Sequence, residues 1–307
     1  MATWRDSGVA ACARKLLAAA RMAWAALVRR RRTAASVGAY FDLITDEGRL
    51  FYGDSFHLGY FANGTSSLRE ALEAHTDLVA GLARLAPGAH VLDVGCGIGA
   101  PALRFVRRFG CRTTGVNISA EQVRQGRALI AKEGLSHRIA LERADARTLD
   151  FPDSTFDSIV CLESAGDICV TNTDKDRLVR ELYRVLRPGG FVGFSDLALR
   201  APPTRAENGV LRAVLYHSGA ELVSDWPAIF ARAGFGIVEC RDIILETLPT
   251  WVHARAVYEQ RAREVARRYG GRVAQRTFEQ LERIAEILTA YGTVPSLSAQ
   301  KPGSASR

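Results

Sequence analysis

The chain has 307 residues, room for one large domain or two small ones, and its 48% hydrophobic and 24% charged residues exclude a disordered or fibrous protein. Its formal net charge is +8, yet +7 of that lies in residues 1–35, where Arg5, Arg14, Lys15, Arg21 and Arg29 to Arg32 face Asp6 alone. The remaining body is nearly neutral, which argues against a nucleic-acid binder.

Residues 9–32 read as one amphipathic helix, because Val9, Ala13, Leu16, Leu17, Ala20, Trp24, Leu27 and Val28 fall on one arc. Four arginines close its C-terminal end, where the helix dipole favours cations. Such a helix packs on the body or on a neighbouring subunit of a homo-oligomer, makes a peripheral contact with an anionic membrane surface, or is a cleaved transit peptide. Residues 36–64 carry Tyr40, Phe41, Phe51, Tyr52, Phe56, His57, Tyr60 and Phe61 without a clear period, and are expected to form an aromatic lid outside regular structure. A helix is expected over 66–85, capped by Ser66 or Ser67.

From residue 90 strands and helices alternate. Strands are expected over 90–94, 112–116, 139–143, 158–162, 190–196 and 236–243, and helices over 100–109, 120–133, 174–186 and 225–233. This rhythm means right-handed βαβ crossovers and a parallel sheet. Two stretches interrupt it, an insertion over 200–224 and a mostly helical one over 250–290, and a last strand is expected near 293–299. The expected architecture is α/β: a doubly wound, mostly parallel, seven-stranded sheet over 65–303, with helical cap insertions and an extra N-terminal helix over 1–35. None of the six cysteines forms a C-x-x-C pair, so neither a metal site nor a disulfide framework is expected, and a reduced, cytoplasmic protein fits. No apolar run approaches the ~20 residues of a membrane span.

The strongest chemical signal is Val91-Leu92-Asp93-Val94-Gly95-Cys96-Gly97-Ile98-Gly99-Ala100-Pro101, a strand running through alternating glycines into a helix. Glycines there let the backbone approach a nucleotide-like ligand. Gly95-x-Gly97-x-x-Ala100 also satisfies the dinucleotide fingerprint, but Asn117 stands where that fingerprint expects a ribose-binding acid. Two carboxylates favour another nucleoside: Asp93 just before the glycines, and Asp145 after the third strand, where it can accept from an exocyclic amine.

These pieces resemble the class I S-adenosylmethionine (SAM) dependent methyltransferases. The matching stretches are His57-Leu58-Gly59-Tyr60-Phe61, the 91–101 loop, Asn117-Ile118-Ser119-Ala120-Glu121-Gln122, Ala144-Asp145-Ala146, Leu162-Glu163-Ser164 and Leu186-Arg187-Pro188-Gly189-Gly190, in family order over 56–245. Within the family the chain is similar to the tocopherol, sarcosine/dimethylglycine, sugar and terpenoid methyltransferases, which implies a Rossmann-like fold, SAM as cofactor and a small-molecule substrate, methylated at carbon or oxygen.

The resemblance implies that Gly95, Gly97 and Gly99 line the methionine part of SAM and that Asp93 organises their loop. It places Asn117 and Gln122 at the ribose, and Asp145 and Ala146 at the adenine. Gln122 also fits a capping box with Ser119. The family often has a histidine shortly after Glu163-Ser164; here Asp167 takes that region, and Asp196 ends the fifth strand at the substrate edge. Asp167, Asp196, Glu163 and Tyr60 are therefore the candidate catalytic residues. Tyr40, His57, Arg212, Tyr216 and His217 are the candidate substrate contacts; if the arginines of 200–212 face the substrate, it is anionic, such as an isoprenoid diphosphate. A nicotinamide-dependent oxidoreductase and a non-catalytic SAM-binding protein are the rivals. The 186–190 turn and Asp145 argue against the first, the full glycine loop with Asp93 against the second.

Overall fold

A computed structural model describes residues 33–62, 65, 67–169, 171–215, 223–269 and 271–303. The expected helix over 9–32, Tyr216 and His217 lie outside the described residues.

Five parallel strands, β1 (His90–Val94), β2 (Arg112–Asn117), β3 (Ile139–Arg143), β4 (Phe156–Leu162) and β5 (Leu186–Ser195), join β7 (Gly236–Asp242) and β9 (Pro295–Gln300) in one seven-stranded sheet. The order is β3-β2-β1-β4-β5-β9-β7, with β9 antiparallel to both neighbours. β6 (Ala198–Leu199) and β8 (Gly292–Thr293) form a small second sheet.

Strand alternation sends neighbouring residues to opposite faces. Leu92, Val94, Ile159 and Cys161 meet the helices Asn172–Val185 and Trp226–Arg232 on one side, whereas Val91, Val160 and Leu162 meet the helices Leu68–Leu82 and Ala100–Phe109 on the other. A third core, with Leu58, Leu211, Trp251, Tyr258, Ile284 and Leu288, holds the cap helices Arg205–Val214, Pro249–Tyr269 and Gly271–Tyr291 together.

Local chemistry sets the helix starts. Ser67 and Glu70 make a reciprocal capping box, as do Thr171 and Asp174. Asp225 caps a helix whose first turn holds a proline. The Pro188–Gly190 turn lies inside β5, where pairing jumps from Leu186 opposite Phe156 to Phe191 opposite Ser158.

One expectation is overturned. Most of the aromatic segment is a 19-residue helix, Ala34–Tyr52, opened by a Thr33–Ser36 capping box. Its side chains face several surroundings: Val37 and Tyr40 are buried, while Phe41 and Ile44 pack beside them against Ile118 of the body. A helix wedged between cleft, cap and solvent shows no single apolar stripe, so its period is hidden.

Candidate active site

β1 has β2 on one side and β4 on the other, so the crossovers diverge there and leave a crevice at the strands' C-terminal ends. An open cleft occupies it, lined by Gly95, Gly97, Asn117, Asp145 and Ala146 from the sheet edge and by Gln122 from the helix Ala120–Lys132, and roofed by Val37 and Phe41 of the helix 34–52. Six of the eight predicted cofactor residues thus meet in one place. Gly99 instead caps the helix 100–109 from a left-handed conformation, and Asp93 is buried beneath the loop.

The loop is held by others. The Val116 carbonyl accepts from the Gly95 and Cys96 N–H groups at 2.9 and 3.1 Å, and Ser164 Oγ donates to the Val94 carbonyl at 2.6 Å. A Cβ on Gly95 would come within 2.2 Å of the Ser164 side chain, so only glycine fits. Gly97, with φ +54°, has the opposite surroundings: a Cβ there would meet no atom of the described residues beyond its chain neighbours within 4 Å. Asp93 Oδ2 has no hydrogen-bond partner among the described residues, and burial pushes the carboxyl up to about 7.

The two readings of Gln122 resolve. Ser119 Oγ caps the Gln122 N–H at 3.1 Å, but the Gln122 side chain does not return the bond; its Oε1 accepts from Asn117 Nδ2 at 2.8 Å. Among the described residues no acceptor takes the Gln122 amide N–H donors, which suits a hydroxylated ligand. Asp145 is engaged by Arg147, a residue the sequence reading missed: Nε donates to Oδ1 at 3.0 Å and Nη2 to Oδ2 at 2.8 Å, while Nη1 reaches Asp174 Oδ1 at 2.8 Å. Burial raises the Asp145 carboxyl, but the Arg147 contacts outweigh it and hold it below the usual range. Its Oδ2 keeps one acceptor direction for an amine. The open glycine, the paired amides and this carboxylate fit the methionine, ribose and adenine parts of SAM.

A second, open pocket adjoins the cleft, the two sharing Phe41, Phe56, Glu163 and Asp167 as walls. Tyr40, Tyr52, His57, Leu58, Asp196 and Trp251 complete its apolar and acidic lining. Glu163 follows β4 in a left-handed conformation, φ +46°, which costs a non-glycine residue roughly 1 kcal/mol or more. Its Oε2 accepts from the Leu58 N–H at 2.9 Å, Oε1 has no hydrogen-bond partner among the described residues, and the side chain is 11% exposed. Burial pushes its carboxyl well above the usual range, with Asp196 and Asp167 adding to the rise. Asp196 Oδ2 accepts from the Gly166 N–H at 2.9 Å and so steadies the short helix Ala165–Ile168 that carries Asp167.

Two expected contacts are corrected. Tyr60 lines neither pocket; it packs on the cap core beneath the Arg241 guanidinium. Arg212 is exposed and lines neither pocket. His57 reaches the second pocket with both ring nitrogens already engaged, Nδ1 with the Leu58 carbonyl at 2.8 Å and Nε2 with Thr76 Oγ1 at 3.3 Å. Burial lowers His57 to about 4, so it is neutral. No Arg or Lys is among the described residues lining the second pocket.

Comparison with known proteins agrees with this geometry. Residues 91–190 match a family described as a methyltransferase domain. The chain is 33% identical over 219 residues to "Methyltransferase GfsG" of Streptomyces halstedii, covering 70% of this chain and 77% of that protein. It is 31% identical over 226 residues to "27-O-demethylrifamycin SV methyltransferase" of Amycolatopsis mediterranei (strain S699), covering 73% and 82%. Among solved structures it is similar to the [4+2]-cyclase SpnF, with TM-score 0.73 and 30% identity over 89% of this chain and 98% of that one.

Proposed function

The chain belongs to the class I SAM-dependent methyltransferases, and from that premise we propose that it methylates a hydroxyl oxygen of an uncharged, oxygenated natural product, with Glu163 as general base. SAM is its methyl donor and a small organic molecule its acceptor. The observation that carries the finer reading is the position of Glu163, a buried carboxylate on the wall shared by the cofactor cleft and the second pocket.

SAM, when bound, supplies an electrophilic methyl on a sulfonium. The chain must align the acceptor with it and keep water out. The helix 34–52 does the second, since Phe41 lies over both spaces. A hydroxyl is a poor nucleophile until its proton leaves, and a carboxylate whose proton affinity burial has raised is the stronger base for it. Glu163 is so placed, while Asp167 and Asp196 add negative potential that favours a cationic centre. The apolar walls, and the absence of a basic residue among the described lining residues, suit an uncharged acceptor. The relative named for 27-O-demethylrifamycin SV supports oxygen as the methylated atom.

The rings of Tyr40, Phe41, Tyr52, Phe56 and Trp251 favour a second reading, methylation of an alkene through a carbocation that rings and carboxylates steady. Incubation with [methyl-13C]SAM and a panel of hydroxylated polyketides and terpenoid alcohols separates the two. The product's labelled carbon is expected in the methoxy region of the NMR spectrum, and blocking the acceptor hydroxyl stops transfer. A label on carbon, with the hydroxyl-blocked analogue still consumed, selects the alkene reading.

A further inference from the structure

His75 stands outside every motif, on the helix 68–82, and is fully buried beside Glu163. Its Nδ1 lies 2.8 Å from the Leu58 carbonyl, as does Nδ1 of His57. A carbonyl only accepts, so both rings carry their proton on Nδ1. His75 Nε2 is then an acceptor, and Ser195 Oγ donates to it at 2.8 Å while Ser296 Oγ, opposite Ser195 in the β5–β9 ladder, donates to Ser195 at 2.9 Å. The hydroxyl pair fixes the His75 tautomer.

The donors are unevenly shared. The Leu58 carbonyl has two imidazole donors, whereas Glu163 Oε1, 3.5 Å from His75 Nδ1, has none among the described residues. An unsolvated carboxylate oxygen is costly once charged and tolerable while protonated. We propose that His75 is a positioning residue for Glu163, its Nδ1–H resting on the Leu58 carbonyl while Glu163 is protonated and turning to Oε1 when Glu163 ionises. The Leu58 carbonyl keeps its bond from His57 throughout, so the turn strands no acceptor. No proton moves between His75 and Glu163, because burial holds His75 neutral, lowered to about 3. The other groups facing the carboxylate are the Leu58 N–H, which stays on Oε2, the Asp167 and Asp196 carboxylates, which oppose ionisation, and Tyr52, which burial keeps protonated with a value raised to about 12.

For catalysis this inference rests on Glu163 as the base, but its test does not need turnover. In protein labelled with 15N-histidine and loaded with S-adenosylhomocysteine, the His75 Nδ1–H resonance is expected to move with a single midpoint, above the ordinary carboxylate range, and to stand still in Glu163→Gln. Throughout, Nε2 keeps the shift of an unprotonated nitrogen. A Glu163 carboxyl 13C resonance, assigned by its absence from Glu163→Gln, supplies the second measurement. In His75→Ala its midpoint rises by about one to two pH units for the lost bond to a charged group, and His75→Asn, whose amide can occupy the Nδ1 position, restores most of it. A His75 resonance that ignores pH in the wild type overturns the proposal, even if His75→Ala does not fold. So does an equal Glu163 midpoint in wild type, His75→Ala and His75→Asn. A normal hydrogen-bond response together with full turnover in Glu163→Gln would leave the contact standing and remove the base.

Discussion

At the scale of single residues, two positions separate ligand chemistry from packing. Gly97 has no neighbour among the described residues for a Cβ to strike, so Gly97→Val is expected to abolish S-adenosylhomocysteine binding while the far-ultraviolet spectrum stays native. The left-handed backbone adds roughly 1–2 kcal/mol of strain, too little to unfold a domain of this size. Near-normal affinity by calorimetry would remove this glycine from the cofactor contact. Asp93 offers a pH test. Its folded value, about 7, exceeds the unfolded value of about 3.9, so between these pH values the folded chain binds more protons than the unfolded one. Stability therefore falls as pH rises through that window, by about 1.4 kcal/mol per unit at most. His57 and His75, lowered to about 4 and about 3, act the other way and cost stability as pH falls below about 6.5. Asp93→Asn is expected to raise Tm above wild type at pH 8 and to lose that gain towards pH 4; an equal gain at both values contradicts the assignment.

At the scale of elements, the helix 34–52 is latched to the helix Ala120–Lys132 by its acids. Asp42 Oδ1 accepts from Ser119 Oγ at 2.6 Å and from the Glu121 N–H at 2.9 Å, and Asp46 Oδ1 accepts from Gln125 Nε2 at 2.9 Å. Because this helix roofs the cofactor cleft, Asp42→Ala is expected to speed S-adenosylhomocysteine release roughly tenfold, the worth of a hydrogen bond to a charged group. Stopped-flow release at the wild-type rate would show that the latch does not limit opening. The same helix marks where sequence reading ends. The sheet was legible because a strand buried on both faces is a continuous apolar run bounded by turn residues, as in Ile159–Leu162. The lid helix was not, because its contacts come from the cofactor cleft, the cap and the body in turn. The partnership of Arg147 with Asp145 had a local signal, two residues apart across the turn after β3. His75 had none: it is an ordinary helical residue that long-range packing carries to the edge of the second pocket.

At the scale of the whole molecule, the crossover pattern of the sheet decides where chemistry happens. The strand ends of β1 and β2 and the turn after β3 deliver the cofactor residues, and the turns after β4 and β5 deliver Glu163, Asp167 and Asp196. The cap helices and the 57–61 segment close the acceptor side, the Gly59 N–H donating to Thr250 Oγ1 at 2.8 Å and the Phe61 N–H to the Glu246 carbonyl at 2.8 Å. Two spaces thus meet at a wall that carries Glu163 and Asp167, and on the proposed reading methyl transfer to oxygen depends on Glu163. The most direct test compares wild type with Glu163→Gln for labelled methyl transfer to the hydroxylated acceptor across pH, with S-adenosylhomocysteine affinity measured on the same preparations. The predicted result is affinity within a few-fold, turnover lower by roughly 10²–10⁴, and loss of the rising limb that the wild-type rate shows through the Glu163 ionisation. Turnover in Glu163→Gln within a few-fold of wild type, with the same pH profile, would contradict it.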